Sequence, residues 1–498
     1  MLLLLLLPLL LQAQTRVHTP LGALDGAEFA GIRIFRGVPF AQPPVGEFRF
    51  APPAPIHAWE GIKDARNFGP RCMQQPLFND MVFRSRGMSE DCLYLNIWTP
   101  AKSPSERFPV LVYFYGGGFQ AGDGSEPRYD GAAMARRGIV TITVNYRLGL
   151  FGFFAHPALT ASSPHHASGN WGLLDQSAAL HWVVANISAF GGDPSRITIA
   201  GESAGSMSAS AQMISPLSRG LISGVIGESG SILARPSTGS LKQAEEQGGK
   251  FAANLGLTTL EQLRSADTKI LFEAAGKPGT PWFWPIVDGH FFPEHPREIL
   301  KAGRQAQVPL LGGWNSLEQN PRAVLGREPA TLANLKAAIE RLFLDHAPAV
   351  LKAYLPATEA EAQQAATDLA GDNFIGHNTW QWLHLAAHSS TQPVYRYYYA
   401  HPRPGAKGAS HSAEIEYALG TLSTNTVFAW TPDDYKVSHL LQSYFVNFIK
   451  SGNPNGPGLP PWPSLQGKDN PVLHIDTHPR AHPDTHQHRY QALDLTIP

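Results

Sequence analysis

Two glycine-rich stretches in this 498-residue chain carry residues that could do chemistry. The first is GESAG, Gly201 to Gly205, preceded by the apolar run RITIA (Arg196 to Ala200) and followed by the helix-compatible run SMSASAQMIS. A serine between small residues at a strand-to-helix turn is the nucleophile elbow. The turn forces Ser203 into a strained backbone conformation, so only small neighbours avoid clashes. The helix that follows directs its unpaired N–H groups towards the oxygen under attack. The second stretch is YGGGF, Tyr115 to Phe119, at the end of another buried strand. Consecutive glycines let the backbone approach a substrate and turn its amides into a cavity. The amides of Gly117, Gly118 and Ala204 would form an oxyanion hole, each donor worth on the order of 10²–10³ in rate when its bond forms only in the transition state. Read alone, GESAG could be a Gly-rich helix start and GGG a flexible turn. Together they point to attack of a serine on a carbonyl carbon.

The elements that must hold these turns are legible as runs. PVLVYFY (Pro109 to Tyr115), IVTITVN (Ile139 to Asn145) and RITIA are continuous and β-rich, as expected of strands buried on both faces of a parallel sheet. LLDQSAALHWVVANISAF (Leu173 to Phe190) reads as a helix between two of them. Such alternation favours a doubly wound α/β sheet. Later strands are expected at SGVIGES (Ser223 to Ser229), VPLLGG (Val308 to Gly313) and PVYRYYY (Pro393 to Tyr399). Upstream, RIFRGVPF and LYLNIW read as antiparallel strands in a turn-rich region from Val17 to Trp98. A long helical stretch, Thr331 to Ser389, exceeds what a crossover needs and reads as an elaboration over one face. Length alone would suggest about three domains at roughly 150 residues each, but no linker cuts the chain. The expectation is one domain over residues 14–498, with helical insertions near 240–300 and 320–390.

Composition narrows the partners. The 39 Lys and Arg residues nearly balance the 40 Asp and Glu residues, and no basic run could neutralise phosphates. Nucleic acid and anionic membrane surfaces are therefore poor candidates as partners. The only two cysteines, Cys72 and Cys92, exclude a Cys-based zinc site and could close one loop worth roughly 3 kcal/mol. At the N-terminus MLLLLLLPLLLQAQ is too short to span a bilayer and ends in small and polar residues around Ala13. It reads as a signal peptide over residues 1–13, although it lacks a basic start, and implies a secreted or periplasmic protein without a stable membrane anchor. His474, His478, His482 and His486 recur every four residues, but Pro479 and Pro483 would break a helix there, so a solvated tail is expected rather than a metal site.

Longer motifs extend the two turns. FGGDPSRITIAGESAG (Phe190 to Gly205), SEDCLYLN (Ser89 to Asn96), GVPFAQPPVGEFRF (Gly37 to Phe50), VNYRLGLFGFF (Val144 to Phe154) and GNWGLLDQ (Gly169 to Gln176) together resemble the type-B carboxylesterase/lipase family, which includes the cholinesterases. The resemblance runs from about Thr19 to Trp462. It implies the α/β-hydrolase fold, an ester substrate, no cofactor and no metal.

The resemblance also supplies the partners of Ser203. In LGGWNSLEQ (Leu311 to Gln319) Glu318 takes the acid position, with Leu317 and Gln319 where the family usually has Asp and Gly. Asp288 and Glu294 are weaker substitutes. In HSAEIEYALG (His411 to Gly420) His411 takes the position of the base. The order Ser, Glu, His is the one expected of this fold. Trp282, Phe283 and Trp284, in TPWFWPIVDG, fall where relatives line the acyl pocket, and Glu202 is placed to tune the histidine or touch substrate. Cys72 and Cys92 match the family's N-terminal disulfide, and Arg49 with Glu90 its structural ion pair. The interval NDMVFRSRGM before SEDC lacks the tryptophan with which cholinesterases hold choline. A serine hydrolase of short-chain or aromatic esters is expected. A lipase on longer acyl glycerols and a non-catalytic binding module of the same fold are the rivals, the latter opposed by the presence of Ser203, Glu318 and His411.

Overall fold

The computed structural model describes residues 15–234, 238–466 and 470–497; the leader expected at 1–13 lies outside them. The apolar runs form the middle of an 11-stranded sheet. Its strands in chain order are β1 (Ala27–Phe29), β2 (Ile32–Pro39), β3 (Tyr94–Thr99), β4 (Phe108–Phe114), β5 (Val140–Val144), β6 (Gly192–Glu202), β7 (Gly224–Glu228), β8 (Leu310–Asn315), β9 (Val394–Tyr399), β10 (Pro471–Ile475) and β11 (Arg480–Pro483). In space they run β11-β10-β9-β8-β7-β6-β4-β5-β3-β2-β1. The stretch from β10 to β5 is parallel throughout. Antiparallel strands close both ends. Strands β4, β5 and β7 are almost wholly buried, which is why they read as continuous rather than alternating.

Chain order reverses between β4 and β6, and at such a switch point the loops leaving the carboxyl ends of neighbouring strands part to leave a crevice. Those loops are YGGGF after β4 and GESAG after β6. Helix α1 (Trp171–Asn186) is expected two residues later than it begins, and it closes in a single tight turn, Ile187–Phe190. It packs on α2 (Ala204–Ile214) through a buried polar clasp: the Gln176 amide donates to the Ser208 hydroxyl at 2.8 Å and the Ser177 hydroxyl to Gln212 at 2.8 Å.

The region 240–300 carries α3 (Leu241–Ala253) and shorter helices. The region 331–389 carries α4 (Leu332–Phe343), α5 (Ala347–Tyr354), α6 (Ala362–Gly371) and α7 (His377–Ser389), with a π-helical turn, Asp372–Gly376, between the last two. Leu335, Ile339, Phe343, Val350 and Leu369 form an apolar cluster apart from the main core, completed by Leu493 of α8 (Gln487–Asp494). Cys72 and Cys92 are joined in a disulfide. Arg49 forms a buried bidentate pair with Glu90 and also donates to Thr268 and to the carbonyls of Arg264 and Ala266.

The histidine series departs from the expected solvated tail. His474 and His482 lie on the antiparallel pair β10 and β11, with Pro479 in the turn between, and their rings stand 5.8 Å apart. His474 and His486 both contact the Tyr398 ring. Their four-residue spacing is strand and turn geometry. Among the described residues no group of three metal-ligating side chains could hold an ion.

Candidate active site

Strand β6 ends at Glu202 and α2 begins at Ala204, leaving Ser203 alone in the turn with φ 56° and ψ −122°. The glycines around it are dictated by space. A β-carbon on Gly201 would stand 2.5 Å from the Phe114 carbonyl oxygen, and one on Gly205 would overlap the same oxygen. The Ser203 N–H donates to the Glu228 carbonyl of β7 at 2.9 Å, and Gly230 lies so close behind that its β-carbon would come within 2.7 Å of the Ser203 carbonyl. Gly117 and Gly118 adopt φ of 108° and 61°, values that favour glycine. Among the described residues, the amides of Gly117, Gly118 and Ala204 donate to no protein acceptor.

Glu318 and His411 come together because two loops are stitched to each other. The Leu317 N–H donates to the Ala409 carbonyl at 2.8 Å, and Leu317 and Ser410 form a parallel bridge. Leu317 therefore acts through its backbone, which explains why its departure from the usual residue is tolerated. One oxygen of Glu318 lies 2.6 Å from His411 Nδ1. The other accepts from the Asn315 N–H at 2.6 Å and from the Ser229 hydroxyl at 2.6 Å. His411 Nε2 faces Glu202 Oε1 at 3.2 Å. Asp288 accepts the amides of His290 and Phe292, and Glu294 pairs with Arg304 on the surface.

Behind this pair lies a buried acidic layer that sequence reasoning missed. Glu414 accepts from Asn315 Nδ2 at 2.5 Å and from the Ser229 hydroxyl at 3.1 Å, and Glu228 accepts from the Tyr113 hydroxyl at 3.0 Å. Burial would lower the His411 pKa, but the carboxylates of Glu202, Glu318 and Glu414 outweigh it and hold the imidazole well above the usual histidine value. Burial pushes Glu202 up, with Glu414 and Glu318 adding to the rise and His411 opposing it. Glu228 is raised by burial and by Glu414. Glu414 follows His411 by three residues and Glu228 ends β7, but nothing in their spacing marks them as neighbours.

Ser203, His411, Glu202, Gly117 and Gly118 open into one cavity of about 800 Å³. Trp282 and Trp284 line it, standing beside the Gly116–Phe119 loop: a β-carbon on Gly118 would lie 3.6 Å from the Trp282 ring, and Trp284 meets Phe119 edge to face at 5.2 Å. Phe283 does not share that wall. It is 5% exposed and packs on Phe154 and Phe251. Further lining residues absent from the sequence expectations are Arg128, Arg403 and Phe374, the last on the π-helical turn with its ring 5.2 Å from that of His411. Such turns recur at functional sites.

Comparison with known proteins agrees with this architecture. Residues 13–493 match the model of the carboxylesterase family. The chain is 36% identical over 466 residues to a fumonisin B1 esterase of Sphingopyxis macrogoltabida, covering 90% of this chain and 84% of that protein. It is 34% identical over 499 residues to the para-nitrobenzyl esterase of Bacillus subtilis, covering 96% and 98%. Among solved structures, a PNB esterase superimposes with a TM-score of 0.83 at 31% identity over 97% of this chain and 99% of that one. A carboxylesterase of Geobacillus stearothermophilus gives 0.84 at 31% identity over 96% and 100%. The chain belongs to the carboxylesterase family, with the α/β-hydrolase fold.

Proposed function

We propose that this carboxylic ester hydrolase works through an acyl-enzyme on Ser203 and prefers esters with short-chain or aromatic acyl groups. The observation that carries the reading is His411, anchored through Nδ1 to Glu318 at 2.6 Å, in one cavity with the elbow serine and the unpaired amides of Gly117 and Gly118. The reaction requires Nε2, which faces Glu202 at 3.2 Å, to turn to the Ser203 hydroxyl. His411 takes the hydroxyl proton as the oxygen attacks the ester carbonyl. The amides of Gly117, Gly118 and Ala204 receive the negative charge of the tetrahedral intermediate. Collapse breaks the bond to the alkoxide, which leaves with the proton from His411. A water deprotonated by His411 then attacks the acyl carbon, the carboxylic acid departs, and the proton returns to Ser203. Glu318 holds the tautomer and stabilises the imidazolium.

The acyl preference is supported by Trp282 and Trp284, which narrow the cavity beside the oxyanion loop. Among the described residues no helix is long and apolar enough to cross a membrane. The Cys72–Cys92 disulfide supports an oxidising compartment and, with the leader-like start, a secreted or periplasmic enzyme. Hydrolysis of p-nitrophenyl acetate, butyrate and palmitate by the protein and its Ser203→Ala variant tests the reading. Turnover of acetate or butyrate that disappears in the variant is expected. Preference for palmitate would make the protein a lipase, and equal background rates in both proteins would overturn the mechanism.

A further inference from the structure

Two arginines of the cavity have no task in ester hydrolysis itself. Arg128 lies in the single turn Pro127–Tyr129, and Arg403 follows β9. Both side chains are nearly buried, 12% and 13% exposed, yet both line the cavity that holds Ser203. Both also lie within electrostatic reach of one buried carboxylate, Glu416, so they converge on one wall from distant parts of the chain.

Their partners differ in kind. Arg128 pairs with buried Glu126 at 2.9 Å and with Asp80 at 3.1 Å, and Asp80 is 61% exposed. Arg403 donates through Nη2 to the Ser412 carbonyl at 2.8 Å and to Glu416 at 2.5 Å. Among the described residues, Arg403 Nη1 makes no hydrogen bond. The wall therefore offers Arg403 Nη1, which has no hydrogen-bond partner among the described residues although its guanidinium stands over the Phe428 ring, and Arg128 Nη1, held by a carboxylate that is itself 61% exposed. An incoming carboxylate can take the place of Asp80 on Arg128, since the Asp80 side chain is free to return to water.

The direction of the substrate follows from the reaction. The carbonyl oxygen must meet the amides of Gly117 and Gly118, and the leaving oxygen must meet His411. Trp282 and Trp284 stand beside the oxyanion loop, whereas Arg403 is bonded to Ser412, the residue after His411. The acyl group therefore lies along the tryptophans and the alcohol along the arginines. We propose that Arg403 and Arg128 bind a carboxylate carried by the leaving alcohol, so that the preferred substrates are acyl esters of hydroxy-carboxylic acids, with Asp80 competing for Arg128. This rests on the ester-hydrolase reading and assigns its alcohol side. Arginine suits the task because its planar fork matches a carboxylate in two parallel hydrogen bonds.

The test compares 4-(butyryloxy)benzoate with the neutral 4-(butyryloxy)benzamide, using p-nitrophenyl butyrate as a measure of hydrolysis as such. The benzoate is expected to be favoured by about tenfold or more in kcat/KM, the size of one to two charge-assisted hydrogen bonds, with the gain in KM. Added salt should shrink that ratio. Arg403→Gln should lower it about tenfold, and Arg403→Lys should restore part of it. Asp80→Asn, a change at an exposed position, should raise it. Equal or reversed preference in the unmodified protein overturns the proposal, as does a ratio unmoved by both Arg403→Gln and Asp80→Asn. Preference for a carboxylate placed instead on the acyl side, as in mono-p-nitrophenyl glutarate, overturns the assignment to the alcohol. If p-nitrophenyl butyrate is also untouched, the ester-hydrolase reading itself falls and the inference with it.

Discussion

On the nucleophile side of the cavity, a β-carbon on Gly201 would stand 2.5 Å from the Phe114 carbonyl oxygen. On the proton-transfer side, His411 lies among the carboxylates of Glu202, Glu318 and Glu414. One half of the site is held by the shape of the backbone, with no titratable group among the glycines that form it. The other half is held by charges buried where they are costly unless paired. The contrast shows what each half tolerates. Shape admits no extra atom but is indifferent to pH, whereas the charged half accommodates the bulk of an isosteric change but answers strongly to a lost charge or to protonation.

Substitutions separate the two halves, and the largest effect is expected at the nucleophile. Ser203→Ala should lower kcat for p-nitrophenyl butyrate by about 10⁶-fold with the fold intact, as loss of a nucleophile does elsewhere; a small loss would place the nucleophile at another residue. Glu318→Gln should cost about 10⁴-fold, because an amide selects the wrong imidazole tautomer, and steady-state kinetics with unchanged circular dichroism would check it. Gly205→Ala should act through folding. Its methyl group overlaps the Phe114 carbonyl oxygen, and overpacking of this kind costs about 3 kcal/mol, read as a fall in the denaturation midpoint without a change in the pH profile.

The smallest effect is the most diagnostic. His411 must be neutral to accept the Ser203 proton, and its pKa is raised, so kcat/KM should still climb above the ordinary histidine range. Glu202→Gln removes one of the charges that raise it, so this limb should move to lower pH by about one unit or more. An unmoved limb would mean that Glu202 does not act on the histidine.

Legibility in the sequence followed the range of the forces involved. The strands β4 to β9 and the elbow were readable because each depends on neighbours within a few residues: apolar runs for two-sided burial, glycines for a turn. Glu318 and His411 were reachable only through resemblance, since nothing local distinguishes them from other acids and histidines. Phe283 stands between Trp282 and Trp284 in the chain, and only the fold turns it into Phe154 and Phe251. The histidines from His474 to His486 have a spacing that a strand pair and a turn satisfy as well as a helix does.

What this chain's sequence determined by itself is therefore the elbow: the order strand, GESAG, helix puts Ser203 in the turn between them with glycines on either side, even though the atoms that exclude larger neighbours come partly from Phe114 on another strand. The tertiary structure decided which distant side chains meet at the site. It sewed Leu317 to Ala409 so that Glu318 meets His411, and it set Glu414 and Ser229 behind them. It also brought Arg128 and Arg403 to one wall around Glu416. Electrostatic partners are chosen by distance in space, which the fold sets and the order of residues does not.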